Sequence, residues 1–346
     1  MFSHAMLLYI FVETPLHAGS GRGLGAVDLP IQRERATGYP LVQSSGVKGK
    51  LRAEAYQWPP FRQKYETYLP ASEAEVRNEG KVKDQEAIQK EAKRRARRKA
   101  AQELGIESVF GPESDSADEH AGAVSPGDAR LLLLPVRSLA GVFAWVTSTQ
   151  VLARFQRDRV AAGIDEVTWE VTGPGEGEAL VAPQNDVTAG GKVVLEEFSY
   201  TPQESELVAT IGGWLAGNAL PAGEEYAYWR DKLRRSLVIL PENDFRDFAL
   251  YATEVVTRIK IEDESKTVAQ GALWTEESLP ADTLLYAPVY ATAPRKAVDG
   301  LQDGEAVLQF VCDLDHGRVQ LGGDETVGRG LAALRCSAIQ GVQNGQ

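Results

Sequence analysis

Residues 14–52 read TPLHAGSGRGLGAVDLPIQRERATGYPLVQSSGVKGKLR, and this stretch decides the fold. It follows an apolar run at 6–13 that predicts a strand buried on both faces or nearly so. The loop carries Gly19, Gly21, Gly23 and Gly25, whose backbone can take positive φ and let another molecule approach closely. One carboxylate, Asp28, lies in it, followed by Arg33, Glu34 and Arg35. Ser44, Ser45 and Gly46 then precede Val47-Lys-Gly-Lys-Leu-Arg-Ala-Glu-Ala, which predicts a helix from about Ser45 to Gln57, stopped by Pro59 and Pro60. Serine is a favoured N-cap, and a helix N-terminus attracts phosphate. Glycines, a cationic helix start and a lone acid point to a phosphodiester backbone lying on this segment.

The totals are those of a soluble protein with room for a large core: 346 residues, 43% hydrophobic and 25% charged. No apolar run approaches the roughly 20 residues that cross a bilayer. The start, Met1-Phe-Ser-His-Ala, has neither the basic region nor the small-residue cleavage site of a signal peptide, so a cytoplasmic protein without a membrane partner is expected. Cys312 and Cys336 lie far apart in sequence, show no metal spacing, and read as reduced thiols. A net charge of −12 argues against an indiscriminate nucleic-acid binder but leaves room for a cationic track, since local potential steers a polyanion. Residues 33–52 and 81–99 are locally basic; the acid is concentrated at 113–119, 165–178 and 196–206.

Further along, 61–68 predicts a short helix, and 73–104 is a charged segment of high helix propensity. Arg94, Arg95, Arg97 and Arg98 in it read either as a solvated face or as a basic arm on RNA. Strands are predicted at 129–136, 167–171, 192–198, 238–240, 284–292, 306–313, 318–321 and 331–338. Helices are predicted at 149–163, 205–220, 225–237 and 244–251, the last with Asn243 as N-cap. Residues 253–261 and 268–274 alternate around a charged tip at 262–266, a hairpin signal, and His316-Gly317 marks a turn. Strands and helices in mixed order without a fixed βαβ period define an α+β fold.

The 14–52 segment resembles the signature of the RAMP superfamily of CRISPR effector complexes, closest to the backbone subunits that form the fourth component of the type III-B, or Cmr, complex. The likeness rests on Thr14-Pro-Leu-His-Ala-Gly-Ser-Gly, Asp28-Leu-Pro-Ile-Gln-Arg-Glu-Arg-Ala-Thr-Gly-Tyr-Pro and Ser45-Gly-Val-Lys-Gly-Lys-Leu-Arg. Val109-Phe-Gly, Leu134-Pro-Val-Arg-Ser-Leu, Thr253-Glu-Val-Val-Thr-Arg-Ile, Gly271-Ala-Leu-Trp-Thr-Glu-Glu and Gly322-Gly-Asp-Glu-Thr-Val-Gly-Arg-Gly extend it from end to end. It implies one domain over 1–346: an RRM-like, ferredoxin-type palm with large insertions at about 60–128 and 160–280. The second insertion would include a thumb-like β-hairpin built at least partly from 253–274.

The resemblance also implies a function: a subunit that binds guide (crRNA) and cuts the paired target single-stranded RNA at evenly spaced sites, as a metal-dependent endoribonuclease within the assembled complex. Copies of the chain would stack head to tail beside the other Cmr subunits. Asp28 is the implied cutting residue and would hold a divalent ion, Mg²⁺, that the target RNA also ligates; without the family it reads as a turn carboxylate capping its own backbone. His17 reads equally as acid–base group or as a structural histidine. Glu276 and Glu277 are carried over as contributors; Ser278 stands where the family often has tyrosine. Ser44, Ser45, Lys48, Lys50, Arg52, Arg33 and Arg35 are candidates for the guide backbone, Lys50 also reading as a solvated helix position. Gly322, Gly323 and Arg329 would pass RNA beside the palm, and Trp274 is either core or a stacking platform. The 322–330 loop lacks the Gly-Lys-Ser/Thr of a P-loop, so ATP binding is not expected. A guide-binding scaffold without cleavage, a free-standing guide-processing endoribonuclease and the type III-A sister subunit are the competing readings.

Overall fold

Nine consecutive residues, His4–Val12, form strand β1, and all but His4 are buried. A strand with no polar face must be covered on both sides, and this one is. The computed structural model describes residues 2–342 except 24, 83, 114–119, 165–167, 263, 265–267 and 315–316. After β1 come helix α1 (Ser44–Ala55), β2 (Ala129–Arg137), β3 (Leu284–Ala291), α2 (Gly304–Asp313) and β4 (Leu331–Cys336). Their order in the sheet is β4-β1-β3-β2. β1 runs antiparallel to both neighbours, Tyr9 opposite Tyr286 on one side and Arg335 on the other.

One face of β1 is covered by α1 and α2. Leu8, Leu51 and Val311 line a common cavity there, and Cys312 Sγ lies 3.4 Å from Met6 Sδ. Cys312 and Cys336, distant in sequence, border the same cavity. The opposite face is covered by helices Thr149–Ala161 and Ala227–Ser236 and the short turn before the latter: Tyr9 meets the Phe155 ring and Phe11 that of Tyr226.

Beyond β2 the sheet continues through Phe143–Ser148, Leu237–Leu240, Glu178–Val181, Phe198–Glu204 and Lys192–Leu195, mostly antiparallel. Trp145 on Phe143–Ser148 is fully buried at this join and donates Nε1–H to the Asp282 carbonyl at 2.7 Å. A separate antiparallel hairpin, Glu254–Ile261 with Val268–Ser278, stands off the sheet. Its cross-strand partners Ile259 and Leu273 are both exposed.

The structure corrects several local expectations. Residues 306–313, expected as a strand, lie in helix α2, because the Asp303 carboxylate caps the Ala306 N–H at 2.9 Å and Val307, Phe310 and Val311 fall at helical spacing. A short apolar run does not reveal its period. Residues 192–198 are not one strand; Glu196, at φ 49°, turns the chain between two. Of 167–171, Val167 lies outside the described residues and 168–171 is not strand; the Trp169 backbone binds the Gln156 side chain instead. Helix α1 takes Gln43, not a serine, as its N-cap, and the 242–251 helix is preceded by Pro241 rather than capped by Asn243. Pro59 and Pro60 begin a helix, Pro59–Glu79, which absorbs the short helix expected at 61–68; proline suits a first turn, whose N–H is unpaired anyway. With Gln85–Glu103 this makes a helical hairpin around Val76, Ile88 and Ala92. Its cations face acids: Arg94 meets Glu91, Arg95 meets Glu79 and Glu91, Arg97 meets Glu113, Arg98 meets Glu107, and Lys99 meets Glu75. Part of the 262–266 tip and His316 lie outside the described residues.

Replacing Trp145 with alanine removes the largest buried side chain at the join of the two halves of the sheet. Urea denaturation of Trp145→Ala should show stability lower by about 3–5 kcal/mol; an unchanged midpoint would contradict the packing described.

Candidate nucleic-acid interface and cutting site

Three segments meet at the end of β1: the 14–42 loop, the last residues of the Val268–Ser278 strand, and the 321–330 loop. Leu16 and Leu279 exchange backbone hydrogen bonds at 2.9 Å, Leu29 N–H reaches the Thr275 carbonyl at 3.0 Å, and Glu277 N–H reaches the Leu29 carbonyl at 3.0 Å. Gly323 N–H donates to the His17 carbonyl at 2.9 Å. Gly322 has φ +77°, and a Cβ there would sit 2.3 Å from the His17 carbonyl oxygen, so only glycine allows this approach.

The consecutive residues Thr275, Glu276 and Glu277 then fix the side chains around them. Thr275 donates its N–H (2.8 Å) and hydroxyl (2.9 Å) to Asp28 Oδ2, while the hydroxyl accepts from the Asp28 N–H at 2.9 Å. Asp28 is exposed, and the backbone and side-chain bonds from Thr275 hold its carboxyl below the ordinary range; it is an ionised carboxylate in a fixed position. The Glu277 carbonyl lies 2.6 Å from His17 Nδ1. A carbonyl only accepts, so Nδ1 carries the proton, and in the neutral ring Nε2 keeps its lone pair. A Cβ at Gly19 would fall 2.7 Å from that Nε2, which explains the glycine.

The two glutamates diverge. Glu277 is a structural anchor: Oε1 accepts from Arg33 at 2.5 Å and from the Thr253 hydroxyl at 2.8 Å, and Oε2 accepts from the Ile31 N–H at 3.0 Å. Arg33 spends its other donors on the Gly38 and Ala249 carbonyls, at 2.7 and 2.8 Å. Glu276 is also buried, and burial, reinforced by the neighbouring Asp324 carboxyl, pushes its own carboxyl above the usual range.

His17, Gly19, Gly21, Gly46, Gly49, Lys50, Gly322 and Gly323 line one groove of about 540 Å³. Glycines from three segments leave it walled largely by backbone, a surface that a sugar–phosphate chain can approach closely. Lys50 borders it, paired with Glu54 at 2.5 Å. Lys48 has no partner among the described residues, and burial followed by the nearby Arg52 pulls its ammonium below the ordinary range. Ser45 is exposed. The Ser44 N–H is taken by Asp128 Oδ1 at 2.8 Å, so this part of the helix start is already capped by an acid. Arg52 donates to the Gly111 and Pro112 carbonyls, at 2.5 and 2.7 Å. Arg35 is exposed in a turn. Arg329 faces Glu254 at 3.4 Å, and Trp274 is half-buried opposite Arg258 in the hairpin register.

No group of three or more His, Cys, Asp or Glu that would cage a metal occurs among the described residues. An ion at Asp28 would draw one protein ligand and the rest from water and phosphate, the pattern typical of Mg²⁺. Sequence reasoning passed over Thr275, Asp324 and Asp128. The first two lie inside motifs already singled out; their roles depend on partners some 250 and 50 residues away, and the capping role of Asp128 on a similar long-range contact.

The chain belongs to the RAMP superfamily, whose family model matches residues 10–333. It is similar to the CRISPR system Cmr endoribonuclease Cmr4 of Pyrococcus furiosus, with 36% identity covering 97% of this chain and 96% of that one. A CRISPR system CMR subunit Cmr4 of Saccharolobus solfataricus is 25% identical over 95% of this chain and 98% of its own. Among solved structures, oligomeric Cmr4 from Pyrococcus furiosus superposes with a TM-score of 0.62 at 28% identity, covering 99% of this chain and 100% of that one. A chain of the type III-B Cmr-beta complex bound to cognate target RNA has the same fold, with a TM-score of 0.64 at 19% identity, covering 97% and 98%.

Removing the Glu277 carboxylate leaves Arg33 half-buried without its acid and the Ile31 N–H unpaired. Glu277→Ala should lose about 3 kcal/mol of stability in chemical denaturation; a variant as stable as wild type would show that the anchor is not one.

Proposed function

We propose that this chain is a guide-RNA-binding backbone subunit of a type III-B CRISPR effector complex and that it cuts the paired target RNA at Asp28. The observation that carries the reading is one exposed, ionised carboxylate pinned by Thr275 in the same loop that supplies His17, Gly19 and Gly21 to a glycine-walled groove. Near-full-length similarity to a Cmr endoribonuclease supports the same conclusion. The order β4-β1-β3-β2 with α1 and α2 on one face supports reading the core as a ferredoxin-type, RRM-like palm, and we read the 254–278 hairpin, with Ile259 and Leu273 exposed, as its thumb.

In this reading the guide backbone follows the groove past Gly46, Gly49 and Lys50, with Lys48, Ser45 and Arg35 as further contacts. Backbone contacts make the binding independent of guide sequence. Arg33 and Arg52 shape the loops from inside. The target is cut when a ribose 2′-hydroxyl attacks its own 3′-phosphate: the 2′-oxygen bonds to phosphorus, the bond to the 5′-oxygen breaks, and that oxygen takes up a proton. Asp28 receives the 2′-hydroxyl proton or holds a divalent ion, which when bound would neutralise phosphate charge. His17 offers only Nε2 for proton transfer, because Nδ1 is committed. Copies associate head to tail along the guide, beside the other subunits of the complex.

Target cleavage by the reconstituted complex, with Mg²⁺ present and guide binding followed in parallel, tests this. Asp28→Ala should lower the rate of the evenly spaced cuts at least about 100-fold with assembly and guide binding intact. Unchanged cutting would move the chemistry to another residue, and no cutting by wild type would leave the chain a guide-binding scaffold.

A further inference from the structure

Gln32 lies between two residues already accounted for, Ile31 and Arg33, and takes no part in the cutting chemistry. Its carboxamide nevertheless reaches two distant points of the chain. Nε2 donates to the Gly19 carbonyl at 3.0 Å, and Oε1 accepts the Gln43 N–H at 2.8 Å. A carbonyl only accepts and an amide N–H only donates, so these partners fix which end of the carboxamide faces which. The backbone of Gln32 repeats the connection. Its N–H donates to the Ala18 carbonyl at 2.7 Å, and its carbonyl accepts from the Leu41 N–H at 3.1 Å.

Gly19 and Gln43 belong to different walls of the glycine-lined groove. Gly19 lies in the wall that the 14–42 loop supplies with His17 and Gly21. Gln43 is the N-cap of α1, whose Gly46, Gly49 and Lys50 form another wall. The Gln43 carbonyl accepts the Gly46 and Val47 N–H groups at 2.8 and 3.1 Å, so the helix starts from the residue that Gln32 holds. Gln32 lines the groove as well.

We infer that Gln32 is a positioning residue of the guide groove: its carboxamide holds the loop wall and the α1 wall at one separation, so that the guide's sugar–phosphate chain enters a groove already formed. This deepens the reading of the groove as the guide track and rests on it. Two walls that are not joined have to be ordered by the RNA itself, and that cost is subtracted from affinity. Loss of the carboxamide therefore weakens guide binding without removing a phosphate contact. The salt dependence of binding, which counts the phosphates neutralised, stays as it is.

Gln43 offers a way to break the same clip from its other end. It sits at φ −59°, within the range proline takes, after a residue in extended strand, and its N–H serves Gln32. Gln43→Pro thus removes the donor and leaves the Gln32 carboxamide in the chain, while Gln43→Ala keeps the donor and removes only an exposed side chain. Guide affinity of reconstituted complexes is measured by competition at several salt concentrations for wild type, Gln32→Ala, Gln43→Pro, both together, Gln43→Ala and Lys50→Ala. Urea denaturation of each free chain runs alongside. Gln32→Ala and Gln43→Pro should each weaken guide binding on the order of 10-fold, with the salt slope unchanged. The double variant should lose little more than either alone, because one clip is lost only once, and Gln43→Ala should lose much less than Gln43→Pro. Additive losses in guide affinity, or coupling that appears in urea denaturation alone, would overturn the inference, as would Gln32→Ala binding as wild type while Lys50→Ala does not. Guide affinity indifferent to Lys50→Ala and to every Gln32 and Gln43 variant would instead overturn the reading of the groove as the guide track.

Discussion

Thr275 gives both its amide and its hydroxyl hydrogen to one oxygen of Asp28 and takes the Asp28 amide hydrogen in return. A glycine-rich loop has many conformations to lose, and ordering each residue costs about 1–2 kcal/mol. The reciprocal bonds to Thr275, continued by the Leu29 and Leu16 backbone pairs, tie this loop to a strand that belongs to the hairpin. The position of the carboxylate thus follows from strand geometry rather than from the loop's own preferences. The same strand fixes both His17 and Arg33 through Glu277, the first by its carbonyl and the second by its carboxylate.

Electrostatics explains the choice of glycine around this point. The chain carries a net charge of −12 and would repel RNA over most of its surface. The proposed RNA groove, walled by glycines with Lys50 at its border, needs no broadly basic face. Several arginines that look like RNA contacts are instead internal fasteners: Arg52 holds 111 and 112, and Arg33 holds 38 and 249. Those of the helical hairpin face glutamates. A cation in a motif is as often there to brace a loop as to meet a phosphate, and only its partners distinguish the two.

The central strand was legible because an unbroken apolar run has few alternatives, and so were the loop, its lone acid and the hairpin alternation. Helix α2 was not: eight apolar-rich residues fit either period until the Asp303 cap is seen. The prolines at 59 and 60 were read as a stop, though proline both ends one helix and starts the next. At the site, Asp28, His17 and Glu276 could be named from their motif, but nothing local separates Glu276 from Glu277. One faces an arginine, a threonine hydroxyl and a backbone amide; the other faces a second acid. Alternation along the strand sends the side chains to opposite faces, and what lies on each face is set by residues far away in sequence.

The most direct test of this account is the single-turnover rate of target cleavage by a reconstituted complex carrying Thr275→Val. Valine keeps the volume, the backbone amide and the strand, and removes only the hydroxyl that holds Asp28. A rate lower on the order of 10-fold, with guide and target binding unchanged, is the predicted result. Cleavage at the wild-type rate would contradict the claim that cutting depends on the hairpin strand positioning the Asp28 carboxylate.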